Sequence, residues 1–161
     1  MRSNRFVVVS NCILNQNAVL IDWERAPGAY PFSNLIINKG IRIVTLPCPE
    51  TLANGVNRPP MNYDDYNTIT HRNLCNDLCE IPIRMIQELV KGGSEFIGTI
   101  GIHNSPNCSI TDQRGVFMEE FFKKLEENNL NTNYLEVPTD YVYGNNEKEK
   151  DFEKELEKFL K

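Results

Sequence analysis

The sequence predicts an α/β protein: one three-layer domain, Rossmann-like or flavodoxin-like, with a mostly parallel sheet covered by helices on both faces. Three observations predict it. Four short runs are nearly continuous in apolar, β-branched residues, as suits strands buried on both sides. Stretches with helical spacing separate them, and parallel neighbours need crossovers of that kind. The chain has 161 residues, 40% of them hydrophobic, which is the size of one domain able to bury a core. No repeat, low-complexity tract or linker divides it, so the expected unit is residues 1–161.

In chain order the expected strands are "RFVVVS" (5–10), "IRIVTLP" (41–47), "EFIGTIGI" (95–102) and "NYLEVP" (133–138). "PFSNLIINKG" reads as a helix stopped by Gly40 just before the second strand. "CEIPIRMIQELVKGG" carries Ile83, Ile86 and Val90 on an apolar stripe and stops at Gly92 and Gly93. "TDQRGVFMEEFFKKLEENN" places Phe117, Phe121 and Leu125 at four-residue steps, with Thr111 or Asp112 as N-cap. The tail "NEKEKDFEKELEKFL" is a charged helix whose Phe152, Leu156 and Phe159 form one stripe, which predicts a docked closing helix. Residues 47–70 form the largest irregular segment, and a long loop inside a compact domain is more often functional than idle.

Charge and composition narrow the partners. A net charge of -5 and a pI near 5.1 leave no basic surface for phosphate neutralisation, so a small molecule fits better than long nucleic acid. The start, "MRSNRFVVVSN", falls far short of a signal sequence or a membrane span, which predicts a cytoplasmic protein with no membrane partner. Nothing in the sequence marks an oligomeric state. Five cysteines in a reducing compartment favour metal binding or catalysis over a disulfide framework.

Three of those cysteines fall at related places. Cys12 follows the first expected strand by two residues, Cys48 follows the second immediately, and Cys108 lies a few residues beyond the third. In an open parallel sheet the carboxyl ends share one rim, where the ligand crevice forms, so thiols distant in sequence can meet there. An unpaired cysteine is often a small buried hydrophobe. Recurrence at three successive strand ends argues for more. Prolines flank Cys48 in "LPCPETLANGVNRPP" and Glu50 stands two residues away, while Ser105 and Pro106 make a turn before Cys108 in "GIHNSPNCSI".

Taken in this order, "SNCIL" (10–14), "CPETLANGVNRPP" (48–60) and "SPNC" (105–108) make the chain resemble the DUF523-type proteins, which include the thiouracil desulfurases. The resemblance covers most of the chain up to about residue 110. It implies a [4Fe-4S] cluster held by Cys12, Cys48 and Cys108, with one iron left without a protein ligand. It further implies non-redox hydrolytic loss of sulfide from a thiocarbonyl heterocycle, with Glu50 activating water and Ser105 hydrogen-bonding substrate or water. The chain departs from the pattern at Asn107, usually serine, at Ser109, usually glycine, and in "LANG", which lacks paired glycines. The alternative reading is a non-catalytic carrier of sulfur or metal using the same cysteines.

Other residues compete for roles. His71, Cys75 and Cys79 stand at four-residue steps, which reads first as a structural helix face and second as a zinc site completed by Asp77 or Glu80. His103, directly after the third strand, suits a loop role, or else proton transfer or substrate binding at the rim. Arg58 suits either a surface ion pair or a substrate contact, and Trp23, Tyr63 and Tyr66 either pack or stack on a flat ring. "GTIGIHN" lacks the G-x-G-x-x-G pattern, which argues against a dinucleotide site.

Overall fold

The computed structural model describes residues 4–161. Four strands, β1 (Arg5–Val9), β2 (Arg42–Thr45), β3 (Glu95–Ile102) and β4 (Tyr134–Val137), form one sheet in the order β2-β1-β3-β4. Every neighbouring pair is parallel. The four expected strands therefore all form.

Side-chain alternation along β1 explains the three layers. Phe6 and Val8 face one side of the sheet, where they join the buried faces of α5 (Ile69–Lys91) and α6 (Val116–Glu127). Val7 and Val9 face the other side, with Tyr30, Phe32, α2 (Ser33–Asn38) and α7 (Asn146–Phe159). β1 is thus apolar at every buried position because helices cover both of its faces. One irregularity adjusts the phase: Phe6 pairs with Phe96 but Val7 pairs with Gly98, so Ile97 is an inserted residue. Beyond it Ile100 and Ile102 turn toward the α2 and α7 side.

The helices correct several expectations. α5 begins at Ile69 rather than near residue 79, and runs through Pro82. Thr68 starts it, its side chain accepting from the His71 N–H at 3.1 Å. Ile83 and Ile86 are buried as expected, whereas Val90, at the helix end, is exposed. α6 begins at Val116 with Gly115 at its N-cap, not Thr111 or Asp112. Those two residues belong to the preceding turn, where Asp112 has φ 60° and the Thr111 N–H is bound by the Glu136 carboxylate at 2.9 Å. Segment 47–70 is not a bare loop, since it contains α3 (Pro49–Asn54) and α4 (Tyr63–Tyr66). α4 owes its existence to a reciprocal cap between Asn62 and Asp65. α7 docks as expected through Phe152 and Leu156, with Phe159 partly buried beside them. No helix among the described residues is long and apolar enough to cross a membrane.

Candidate functional site

With the order β2-β1-β3-β4, the chain leaves β1 in one direction to reach β2 and returns on the other flank as β3. The connections from the carboxyl ends of β1 and β3 therefore diverge, which is where open α/β sheets place ligands. A cavity of about 400 Å³ opens there, and Cys12, Cys48, Cys108, Glu50, Arg58 and Ser105 all line it. Val19, Leu20, Trp23 and Met61 add apolar wall, and Arg25 and His103 add polar wall.

Each cysteine is positioned by local structure. Cys12 sits on α1 (Asn11–Leu14), a single turn anchored to the sheet by the Ser10 N–H donating to the Ile100 carbonyl at 3.0 Å. Gln16, in the following 3₁₀ turn, donates to the Cys12 carbonyl at 2.7 Å and accepts from the Arg25 N–H at 2.8 Å, tying this turn to the pocket wall. Cys48 is the N-cap of α3, and its sulfur accepts from the Thr51 N–H at 3.5 Å and the Thr51 hydroxyl at 3.3 Å. Pro49, at the first helical position, lacks only an N–H that the helix would not have used.

Cys108 depends on two glycines. The loop after β3 folds back so that the Cys108 carbonyl accepts from the Ile102 N–H at 3.0 Å. A Cβ on Gly101 would stand 2.6 Å from that carbonyl oxygen, and one on Gly115 would stand 2.5 Å from the Asn107 carbonyl oxygen. Only hydrogen fits at either point. Ser105 completes the turn by accepting from the Cys108 N–H at 3.0 Å and the Asn107 N–H at 3.4 Å. Both contacts use Ser105 as acceptor, so its hydroxyl proton is available to the cavity.

The thiols act on one another. Burial first, then Cys48, pushes the Cys12 thiol up to about 12, with Arg25 pulling the other way. Cys108 is pushed well above an ordinary thiol by burial, then by Cys12 and Cys48, with the buried Ser10 hydroxyl opposing. Mutual repulsion among thiolates means that the three lie within electrostatic reach and that a positive centre among them would relieve it. A soft cationic group that takes their protons' place suits this donor set.

Glu50 is held from two sides. Its Oε1 accepts from Tyr66 Oη at 3.1 Å and from Arg58 Nε at 3.4 Å. Burial and the neighbouring Glu50 carboxylate push the Tyr66 phenol up to about 12, so it stays protonated and donates. Arg58 is 8% exposed and also donates to Thr51 Oγ1, the Gly55 carbonyl and the Ala18 carbonyl. Rather than a surface pair, Arg58 is an internal strut that joins α3 to the segment carrying Ala18 and also lines the cavity.

The remaining candidates divide. Trp23 lines the cavity and is 60% exposed, whereas Tyr63 binds Glu119 and Arg72 away from it and Tyr66 reaches it only through Glu50. His71 packs against Tyr66 and bonds the Asn107 side chain at 2.7 Å, supporting the Cys108 loop from beneath. Cys75 and Cys79 lie in the core between sheet, α5 and α6, so the structural helix face is the one observed. Among the described residues no group of three or more His, Cys, Asp or Glu side chains is placed to hold a single metal ion. A cubane cluster takes each thiolate on a different iron and so spreads its ligands around a body rather than onto one point. The three rim cysteines share one cavity and are thiols, the donor type that such a cluster takes.

Several residues of the site escaped the sequence reading, among them Ser10, Gln16, Arg25, Thr51 and Glu136. Thr51 carried a usable signal, since position N3 of a helix starting at Cys-Pro donates its N–H to the cap residue. Glu136 carried another, as a carboxylate within a short strand otherwise fit for burial.

Fold and cavity together define a parallel α/β protein with a thiol-lined crevice at the switch point of its sheet. The chain is 39% identical, over the full length of both sequences, to the uncharacterized protein MJ0003 of Methanocaldococcus jannaschii, and it belongs to that protein's family. No family model matches the chain, and no solved structure matches it.

Proposed function

We propose that the protein is a [4Fe-4S]-dependent, non-redox desulfidase that replaces the sulfur of a small thiocarbonyl heterocycle, such as thiouracil, with oxygen. One observation carries the reading: three cysteines from three successive strand ends line one cavity that also contains Glu50. The ordered likeness to the DUF523-type motifs supports it. Cys12, Cys48 and Cys108 would hold the cluster, which when bound supplies a soft Lewis acid for the thiocarbonyl sulfur.

The chain's own residues do the rest. Both donors to Glu50 reach Oε1, so Oε2 is the oxygen that takes a proton from water as it attacks the thiocarbonyl carbon. Tyr66 and Arg58 hold that carboxylate in place throughout. Ser105 donates its hydroxyl proton to the ring substituent or the water. Val19, Leu20 and Trp23 offer the apolar surface on which a flat ring lies, and exclude bulk water from it. Water supplies oxygen, sulfur leaves as sulfide, and no electrons are exchanged.

The test is iron and acid-labile sulfide per chain in protein prepared without oxygen, followed by sulfide release from 2- and 4-thiouracil. About four of each per chain, with uracil formed in step with sulfide, is the expected result. Zinc or persulfide sulfur in place of iron, with no uracil formed, would instead assign the cysteines to a carrier.

A further inference from the structure

Glu50 serves the cavity from the β2 side, but a second titratable pair stands at the other end of the sheet. His103 follows β3 directly and lines the cavity. Its backbone N–H donates to the Val137 carbonyl at 3.0 Å, which fixes it against β4. Its Nδ1 lies 3.5 Å from Oε2 of Glu136, a residue that β4 places opposite Gly101. That distance is ion-pair range rather than a formed hydrogen bond, as is common before a substrate binds.

Glu136 is no surface acid. Its side chain is 8% exposed, and its carboxylate accepts from the Ile110 and Thr111 N–H groups at 2.9 Å each and from the Ser109 hydroxyl at 3.2 Å. Burial disfavours its charge, yet the bonds from Thr111 and the Ile110 N–H outweigh burial and hold it below the ordinary carboxylate range. A fixed anion behind Nδ1 keeps a hydrogen on that nitrogen and turns Nε2 away from Glu136, so Nε2 is the nitrogen through which a proton is exchanged. A carboxylate serving only to pin residues 109–111 would need no imidazole between itself and the cavity.

We propose that His103, oriented by Glu136, is a second proton-transfer residue of this pocket, acting on the ring nitrogen beside the thiocarbonyl carbon of a cyclic thioamide. The inference rests on the desulfidase reading and names its substrate class more narrowly. As the water oxygen bonds to carbon and its proton passes to Glu50, the His103 imidazolium gives its Nε2 proton to the ring nitrogen and keeps the hydrogen on Nδ1. As the carbon-sulfur bond breaks and the carbonyl forms, the ring nitrogen returns that proton, and sulfur departs as hydrogen sulfide with the two protons of the water. The balance is thiocarbonyl plus water giving carbonyl plus hydrogen sulfide, with nothing oxidised or reduced. The ionisable groups sharing the cavity with His103 are Arg25, Tyr30, Glu50, Arg58 and the three thiols.

The experiment compares His103→Gln and Glu136→Gln with the wild-type holoenzyme on 2-thiouracil across pH. His103→Gln should keep its iron, lower kcat about a hundred-fold with KM changed far less, and remove one limb of the pH profile. Glu136→Gln should keep its iron and lower kcat with KM changed far less, because the ring loses the carboxylate that orients it. Wild-type kcat and pH profile in His103→Gln would overturn the proposal. If wild-type holoenzyme released no sulfide, the desulfidase reading would fail separately. The pair would then be judged by imidazole NMR, since the chain has two histidines and His103→Gln assigns the signals. Movement of the His103 signal on adding uracil, diminished in Glu136→Gln, is expected; a His103 signal that does not respond to uracil would overturn it.

Discussion

The chain's two groups of cysteines make an instructive contrast. Cys12, Cys48 and Cys108 arrive from three separate strand ends and are half-buried around a cavity. Cys75 and Cys79 sit one turn apart on α5 and are wholly buried. Burial is the first cause that raises Cys12 and Cys108 at the rim and Cys75 and Cys79 in the core. The second cause is a neighbouring thiol for Cys12, Cys108 and Cys79 and the Glu120 carboxylate for Cys75. The pair on the helix already has its partners, in Phe96, Phe117, Phe121 and the rest of that apolar cluster. Thiols at the rim have each other and an opening. The sequence reads the helix pair first as a structural face and the strand-end cysteines as ligand candidates, and the topology of the sheet brings the latter to one cavity.

Mutation of each group gives the sharpest way to break the contrast. Cys12→Ser or Cys108→Ser should lose bound iron and sulfide release together, whereas a Cys75→Ala, Cys79→Ala double variant should retain both; iron analysis beside the thiouracil assay decides. Next in size, Glu50→Gln should retain iron while kcat falls by about two to four orders of magnitude, the range for one positioned acid-base group. Unchanged turnover would remove Glu50 from the chemistry.

Smaller effects concern stability. Gly101→Ala forces a Cβ to within 2.6 Å of the Cys108 carbonyl oxygen, so it should cost about 1–3 kcal/mol by denaturant unfolding and weaken iron retention. Cys79→Ala trims a core side chain away from the cavity and should cost about 1 kcal/mol without touching iron. The smallest effect is with pH. The Cys75 thiol is raised from 9.0 to about 12 on folding, so the folded chain holds its proton where the unfolded chain releases it. That contribution to stability is complete below pH 9 and is lost as pH rises toward 12. Thermal melts of Cys75→Ala should fall less steeply over that window than those of the parent.

Local signals carried most of the fold. All four strands appear where apolar, β-branched runs stand, and Gly40 and Gly93, with φ of 71° and 91°, stop helices where the sequence places them. Legibility failed where a long-range contact overrides local chemistry. Thr111 and Asp112 are good cap residues by type, yet Glu136 of β4 claims the Thr111 N–H and the chain makes a turn there instead. α4 was invisible because its four residues show no periodicity, and a side-chain cap alone makes the turn. Arg58 could be read as a surface group because charged residues usually are; only packing supplies the Ala18 and Gly55 carbonyls that let its guanidinium be buried.

By itself the sequence determined the strand and helix order, the apolar character of both sheet faces, and the placing of Cys12, Cys48 and Cys108 past strand ends, because each follows from residues close together in the chain. Tertiary structure decided the rest. The order β2-β1-β3-β4 brought the three thiols and Glu50 to one cavity, buried Arg58 and Tyr66 beneath Glu50, and set His103 before Glu136. Those relations join residues from distant parts of the chain, and strand pairing and packing, not local spacing, fix which of them meet.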